Sequence, residues 1–244
     1  DLTSDAAAEA IIAAAGNRNL PLALINARLS ARSQRGYARL PSLIGPALAS
    51  LNAVAAQTVA DGERLQQLGA RRVSVCGNLK FDVSPAPEQL RQGESWRQSL
   101  GARPVWLAAS TREGEEALIL DAFAALRIPG LLLLLVPRHP QRFAAVADLV
   151  DERRLRLCRR SSGTLPSPAT QVWLGDSMGE MVAYYTLADL ALIGGTLLPF
   201  GGQNLIEAAA CGCPVLLGPH SFNFAQASAD AIACGAALQV ADVG

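Results

Sequence analysis

Apolar residues in this chain fall into short continuous blocks, and between the blocks they recur every three or four positions. Blocks at Val105–Ala109, Leu131–Val136, Gln171–Leu174, Leu190–Ile193 and Val215–Leu217 predict strands, with Ala236–Val240 as a last one. Helical spacing over Glu113–Leu126, Gln141–Val150, Met178–Leu187, Asn204–Cys211 and Phe224–Cys234 predicts the helices that join them. Continuous apolar strands alternating with helices imply a parallel sheet covered on both faces. Upstream the same reading gives strands at Pro21–Ile25, Ala53–Gln57 and Val73–Cys76. It gives helices over Pro41–Leu51 and Asp61–Leu68, and an alanine-rich amphipathic helix over Asp1–Gly16. Arg28, Arg32, Arg35 and Arg39 fall in a polar loop, and Arg159–Pro168 reads as a plain loop. Gly77–Pro87 has no apolar period and holds closely spaced prolines, which predicts a hinge. The expected fold class is therefore α/β, in two Rossmann-like lobes.

Composition narrows the function classes. Half of the 244 residues are apolar, enough for a sizeable core. Acidic and basic residues balance at 21 each, so no nucleic-acid partner is expected. The five cysteines are odd in number, sit in apolar segments and show no zinc spacing, which reads as free thiols in a reducing compartment. Two histidines give little basis for a histidine metal site, and no cofactor is expected. The run Leu131–Val136 is far too short to cross a bilayer, and no signal-peptide pattern follows Asp1.

The candidate chemistry concentrates in Thr196–Phe224. There a strand ends in Gly194-Gly195, and a second pair, Gly201-Gly202, leads into a helix carrying Asn204 and Glu207. Gly212 ends that helix, and Pro214 opens the next strand. Strand, glycine turn, helix and strand place free amides at a helix start, which suits a phosphate. Glu207 in the first helical turn can accept the two hydroxyls of a ribose. A tight turn with a helix-end acid would explain Gly-Gly alone; the combination with Asn204, Glu207 and Gly218-Pro219-His220 favours a nucleotide site. Other loops leave the same sheet edge. Ser110-Thr111 precede Glu113, Glu115 and Glu116, acids that helix capping accounts for. Arg138, held between Pro137 and Pro140, suits bidentate binding of a phosphate or carboxylate, although a solvated loop arginine reads the same way. Gly175-Asp176-Ser177-Met178-Gly179-Glu180 is a third such turn.

Six motifs in order carry a family resemblance: Asn26–Ser30, Gly77–Asp82, Ser110–Glu116, Val136–Pro140, Gly175–Glu180 and Gly218–Phe224. In these the chain resembles the 3-deoxy-D-manno-octulosonate (Kdo) transferases of lipopolysaccharide assembly, nearly end to end. The resemblance implies the GT-B glycosyltransferase fold, with a partial acceptor-side lobe over 1–79 and a donor-binding lobe over 80–244. It implies metal-independent transfer of Kdo from CMP-Kdo to a lipid A precursor at the cytoplasmic face of the bacterial inner membrane. CMP would be held by Pro137, Arg138, Met178, Gly179, Glu180, Asn204, Leu205, Ile206 and Glu207. Lys80, the only lysine of the chain, matches the lysine that family members use to stabilise the transition state. The family's membrane-associated segment, its glutamate base and its last helices are expected outside Asp1–Gly244. Gln203-Asn204-Leu205 departs from the usual His-Asn-Pro, removing a charge and a helix-presetting proline. Three other readings stay open: a CMP-binding fragment without turnover, an epimerase of the same fold, and a transferase using UDP or GDP sugars.

Overall fold

The computed structural model describes residues 14, 15, 18, 20–82 and 84–241, so the helix expected over Asp1–Gly16 lies almost wholly outside the described residues. Two compact units follow one another along the chain, Asp1–Asp82 and Val83–Gly244. No helix among the described residues is long and apolar enough to cross a membrane.

The first unit is a three-stranded parallel sheet of β1 (Ala23–Ala27), β2 (Ala53–Ala56) and β3 (Val73–Val75), in that order. The arginine-rich stretch expected as a loop is instead a short helix, α1 (Ala31–Tyr37), because Ser30 caps it by accepting from the Ser33 amide at 3.1 Å. α2 (Pro41–Ala49) and α3 (Val59–Gln67) complete the unit. At the start of α3 the buried Asp61 accepts from the Leu29 amide at 2.9 Å and the Thr58 hydroxyl at 2.6 Å. Burial would raise this carboxyl, but those bonds, with Arg64 and Arg28, hold it below its ordinary value.

The second unit is a seven-stranded, all-parallel sheet. Its strands are β4 (Val105–Thr111), β5 (Leu132–Pro137), β6 (Leu157–Arg159), β7 (Val172–Leu174), β8 (Leu190–Ile193), β9 (Val215–Leu217) and β10 (Ala237–Gln239). Their spatial order is β10-β9-β8-β4-β5-β7-β6. The unbroken Leu-Leu-Leu-Leu-Val-Pro of β5 is buried throughout, as a central parallel strand requires. Leu132, Leu134 and Val136 face one layer with Trp96, Trp173 and Tyr184. Leu133 and Leu135 face the other, with Ile119, Leu120, Val146 and Val150. The helices are α4 (Pro87–Leu100), α5 (Glu115–Ala125), α6 (Phe143–Glu152), α7 (Met181–Leu187), α8 (Ile206–Ala210) and α9 (Ala225–Ala233). Strands β8 and β9 fall where the apolar blocks put them. Helix α8 is shorter than expected, and α7 starts only at Met181.

Two elements escape the hydropathy pattern. Strand β6 lies in part within the stretch expected as a plain loop, at the sheet edge. Helix α4 follows the expected hinge: Pro87 presets its first turn and Gly101 ends it. This helix packs on α7 so closely that a Cβ at Gly93 would sit 2.5 Å from the Ala183 carbonyl and 2.6 Å from Thr186 Cβ. The contact seats Trp96 against Tyr184 (centroids 5.6 Å apart, near-parallel) and edge-on to Trp173 at 5.3 Å. Gly93→Ala should therefore cost about 1–3 kcal/mol by overpacking. Gly36→Ala, in a helix position with open space around it, should gain about 0.4–1 kcal/mol from reduced freedom of the unfolded chain. Urea unfolding of both variants checks the pair; equal effects would mean that the α4–α7 contact is looser than its geometry.

Candidate functional site

Strand order reverses between β4 and β8, and in open α/β sheets the crevice beyond such a switch point takes the ligand. At that point the backbones touch: a Cβ at Gly194 would lie 2.3 Å from the Ser110 carbonyl, so only glycine fits. Ser110 itself is left-handed (φ 57°), where the β4–β5 register shifts.

The turns around this crevice are tied together by two buried acids at the start of α5. One oxygen of Glu115 accepts the amides of Arg112 at 2.8 Å and Gly195 at 2.6 Å, and the other accepts the Leu197 amide at 3.0 Å. Glu116 accepts from the Thr111 hydroxyl at 3.0 Å and pairs with Arg142, beyond β5, at 3.0 Å. Both side chains are fully buried. Helix capping, the expected role of these acids, is only part of what they do; they join the turns after β4, β5 and β8. Thr196 continues the chain of ties by accepting from the Gly218 amide, after β9, at 2.9 Å.

A cleft of about 610 Å³ opens at this edge. Ser110 from the β4 end, Arg138 after β5, Met178 and Gly179 after β7, and Gln203, Asn204 and Glu207 after β8 line its mouth. Met181, Val182 and Tyr185 of α7 form one wall, and Gln89 of α4 forms another. The guanidinium of Arg138 is exposed and has no ion-pair partner among the described residues. Glu207 receives only a long contact from the Asn204 amide, 3.5 Å. The cleft thus offers one free cation and one carboxylate on opposite turns, which suits a ligand with a phosphate at one end and hydroxyls at the other.

The remaining residues expected at the site take other places. Pro137 is buried at the end of β5, and Leu205 and Ile206 are buried in the core at the start of α8. Glu180 does not line the cleft; it is bonded to Arg160 at 2.8 Å, to Ser177 and to the Tyr184 hydroxyl at 3.3 Å. Lys80 belongs to the first unit, in the 3-10 turn Leu79–Phe81. The glycine turn also differs from expectation. The amides of Gly202 and Gln203 donate to the carbonyls of Gly195 (2.7 Å) and Gly194 (3.0 Å), and that of Ile206 donates to the side-chain oxygen of Asn204 (3.0 Å), so these three are not free for a phosphate.

The stretch Arg159–Pro168 carries a structural task. Asp176 accepts from Arg159 at 2.7 Å and from the Ser161 amide at 2.8 Å and hydroxyl at 2.6 Å. Burial acts to raise the Asp176 carboxyl, and these bonds outweigh it and keep it below its ordinary value. Arg160 lies over the Trp96 ring, 5.1 Å from its centroid, while holding Glu180. This clamp fixes the loop that presents Met178 and Gly179. Gln89, absent from the expected site, reaches the same loop by donating to the Gly179 carbonyl at 2.7 Å. Pro87 at a helix start was the available signal for it.

Parallel α/β units with a polar cleft at the switch point define the class, the Rossmann-like units from which GT-B glycosyltransferases are built. Residues 9–83 match the family described as 3-deoxy-D-manno-octulosonic-acid transferase (kdotransferase). The transferase of that name from Bordetella pertussis is 49% identical over 95% of this chain, which spans 55% of it. The one from Haemophilus influenzae is 43% identical over 85% of this chain, which spans 50% of it. The C-terminal CMP-Kdo binding domain of WaaA from Acinetobacter baumannii matches in structure with a TM-score of 0.62 and 35% identity, over 65% of this chain and 84% of that domain. The chain belongs to the Kdo transferase family, and it spans about half the length of these full-length relatives.

The ties at the switch point can be tested directly. Glu115→Ala leaves three amides without their acceptor, at about 1–3 kcal/mol for each one that stays buried. A loss of about 3 kcal/mol or more is expected in chemical denaturation. A loss below about 1 kcal/mol would show that water replaces the carboxylate and that the turns do not depend on it.

Proposed function

We propose that this protein transfers Kdo from CMP-Kdo to a lipid A precursor in lipopolysaccharide synthesis, at the cytoplasmic face of the bacterial inner membrane. The observation that carries this reading is the pairing of Arg138 and Glu207 across one cleft, in the unit whose fold matches a CMP-Kdo binding domain. In this proposal Arg138, aimed by Pro137, meets the phosphate of the donor, and Glu207 accepts ribose hydroxyls with Asn204 orienting it. Met178 and Gly179 flank the nucleoside, and Glu180 acts through the clamp that fixes them. Leu205 and Ile206 hold the start of α8 in the core.

The reaction balances as a displacement. The acceptor hydroxyl oxygen forms a bond to the anomeric carbon while the bond from that carbon to the phosphate oxygen breaks. A general base takes the hydroxyl proton, and CMP leaves with the bonding pair as added negative charge on its phosphate. Arg138, which lines the cleft, and Lys80, the lysine of the family motif, are the cations proposed to stabilise that charge as it builds.

Two measurements test the proposal. Glu207→Gln should weaken CMP binding by about 1–3 kcal/mol, the scale of a charge-assisted hydrogen bond. Calorimetric titration with CMP, UMP and GDP checks it, and preference for a UDP- or GDP-type nucleotide would sink the CMP reading. In the full-length enzyme, Lys80→Ala should lower turnover by about 10²–10³-fold and change CMP affinity far less, since the interaction strengthens as the leaving group gains charge. Parent-like turnover would remove Lys80 from the chemistry.

A further inference from the structure

The wall of the cleft holds a polar group that the roles above leave unused, the phenol of Tyr185. This residue is 3% exposed, lines the cleft and lies on the same face of α7 as Met181, one turn earlier. Its ring is packed in the core layer that also holds Leu205, Ile206 and Ala208 of the α8 segment. Its hydroxyl has no hydrogen-bond partner among the described residues. The neighbouring Tyr184, by contrast, bonds Ser177 at 2.7 Å and Glu180 at 3.3 Å. Buried phenols normally find a partner, and one left open on a cleft wall points to a ligand that supplies it.

The surroundings say which ligand group. Glu207 lines the same cleft as Tyr185, and its charge, with the thiols of Cys213 and Cys211, acts on the phenol. A carboxylate only accepts, whereas a phenol both donates and accepts. Each hydroxyl of a vicinal diol carries one hydrogen and two lone pairs, so a diol can give its hydrogens to Glu207 and take one from Tyr185. We propose that Tyr185 is a second ribose ligand, hydrogen-bonding a sugar hydroxyl of the nucleotide held by Glu207 and selecting ribonucleotides over deoxyribonucleotides. This rests on the donor site proposed above. Burial first, and then the charge of Glu207, drive the phenol well above its ordinary range. It therefore stays protonated and acts as a donor, with no part as a base.

The test is Tyr185→Phe, which removes only the hydroxyl. Its thermal unfolding should match or exceed that of the parent, because the fold loses no bond. CMP should bind the variant about threefold to tenfold more weakly than the parent, the range of one uncharged hydrogen bond. Of the 2′-deoxy and 3′-deoxy analogues of CMP, the one lacking the contacted hydroxyl should bind parent and variant equally. Unchanged CMP affinity, or the same loss on CMP and both analogues, overturns the role of Tyr185 while the donor site stands. A parent that binds no CMP at all overturns the donor site and this inference with it.

Discussion

The buried carboxylate of Glu115 is the interaction on which the ligand edge of the second unit depends. Moving an unpaired carboxylate from water into protein costs several kcal/mol, and the cost is offset here by three backbone amides and a helix start. Two of those amides come from the turn after β8, far along the chain from Glu115. The acid therefore fixes the spacing of the two strands between which the sheet reverses order. Glu116 extends the same logic outward through Thr111 and Arg142. With these turns set, the close approach of Gly194 to Ser110 follows, and so does the opening between them.

Polar groups around the cleft divide into those engaged in structure and those left open. Asp176, Glu180, Arg159 and Arg160 are committed to one another and to Trp96, and they hold the loop that carries Met178 and Gly179. Arg138, Glu207 and the hydroxyl of Tyr185 are left almost unengaged, although the surrounding fold is densely bonded. A site built in this way binds by preorganisation, since its walls are already ordered when a ligand arrives. It also explains why the glycine turn matters more as geometry than as a phosphate cradle. Its amides close the turn back onto Gly194 and Gly195, and that closure delivers Glu207 to the opening.

Apolar patterning and the punctuated motifs are enough to define the fold class and the edge on which the site lies. Continuous apolar blocks such as Leu131–Val136 can be satisfied only in a doubly covered parallel sheet, and glycine- and proline-bounded motifs mark the strand ends where Arg138, Met178 and Glu207 meet. Other features were beyond a local pattern. Whether Glu115 caps its own helix or ties a turn after β8 is decided by which amides the packed fold brings to it. The polar stretch Arg159–Pro168 has no apolar period, so its bonds to Asp176 leave no trace in hydropathy. Helix α4 carries few apolar residues and is held by the Gly93 contact and by Trp96, both of which depend on α7 lying against it. Tyr184 and Tyr185 are adjacent and chemically identical, yet one is bonded and the other opens on the cleft. Periodicity records which face a residue takes, whereas partners are set by elements distant in sequence, and only the tertiary structure brings those together.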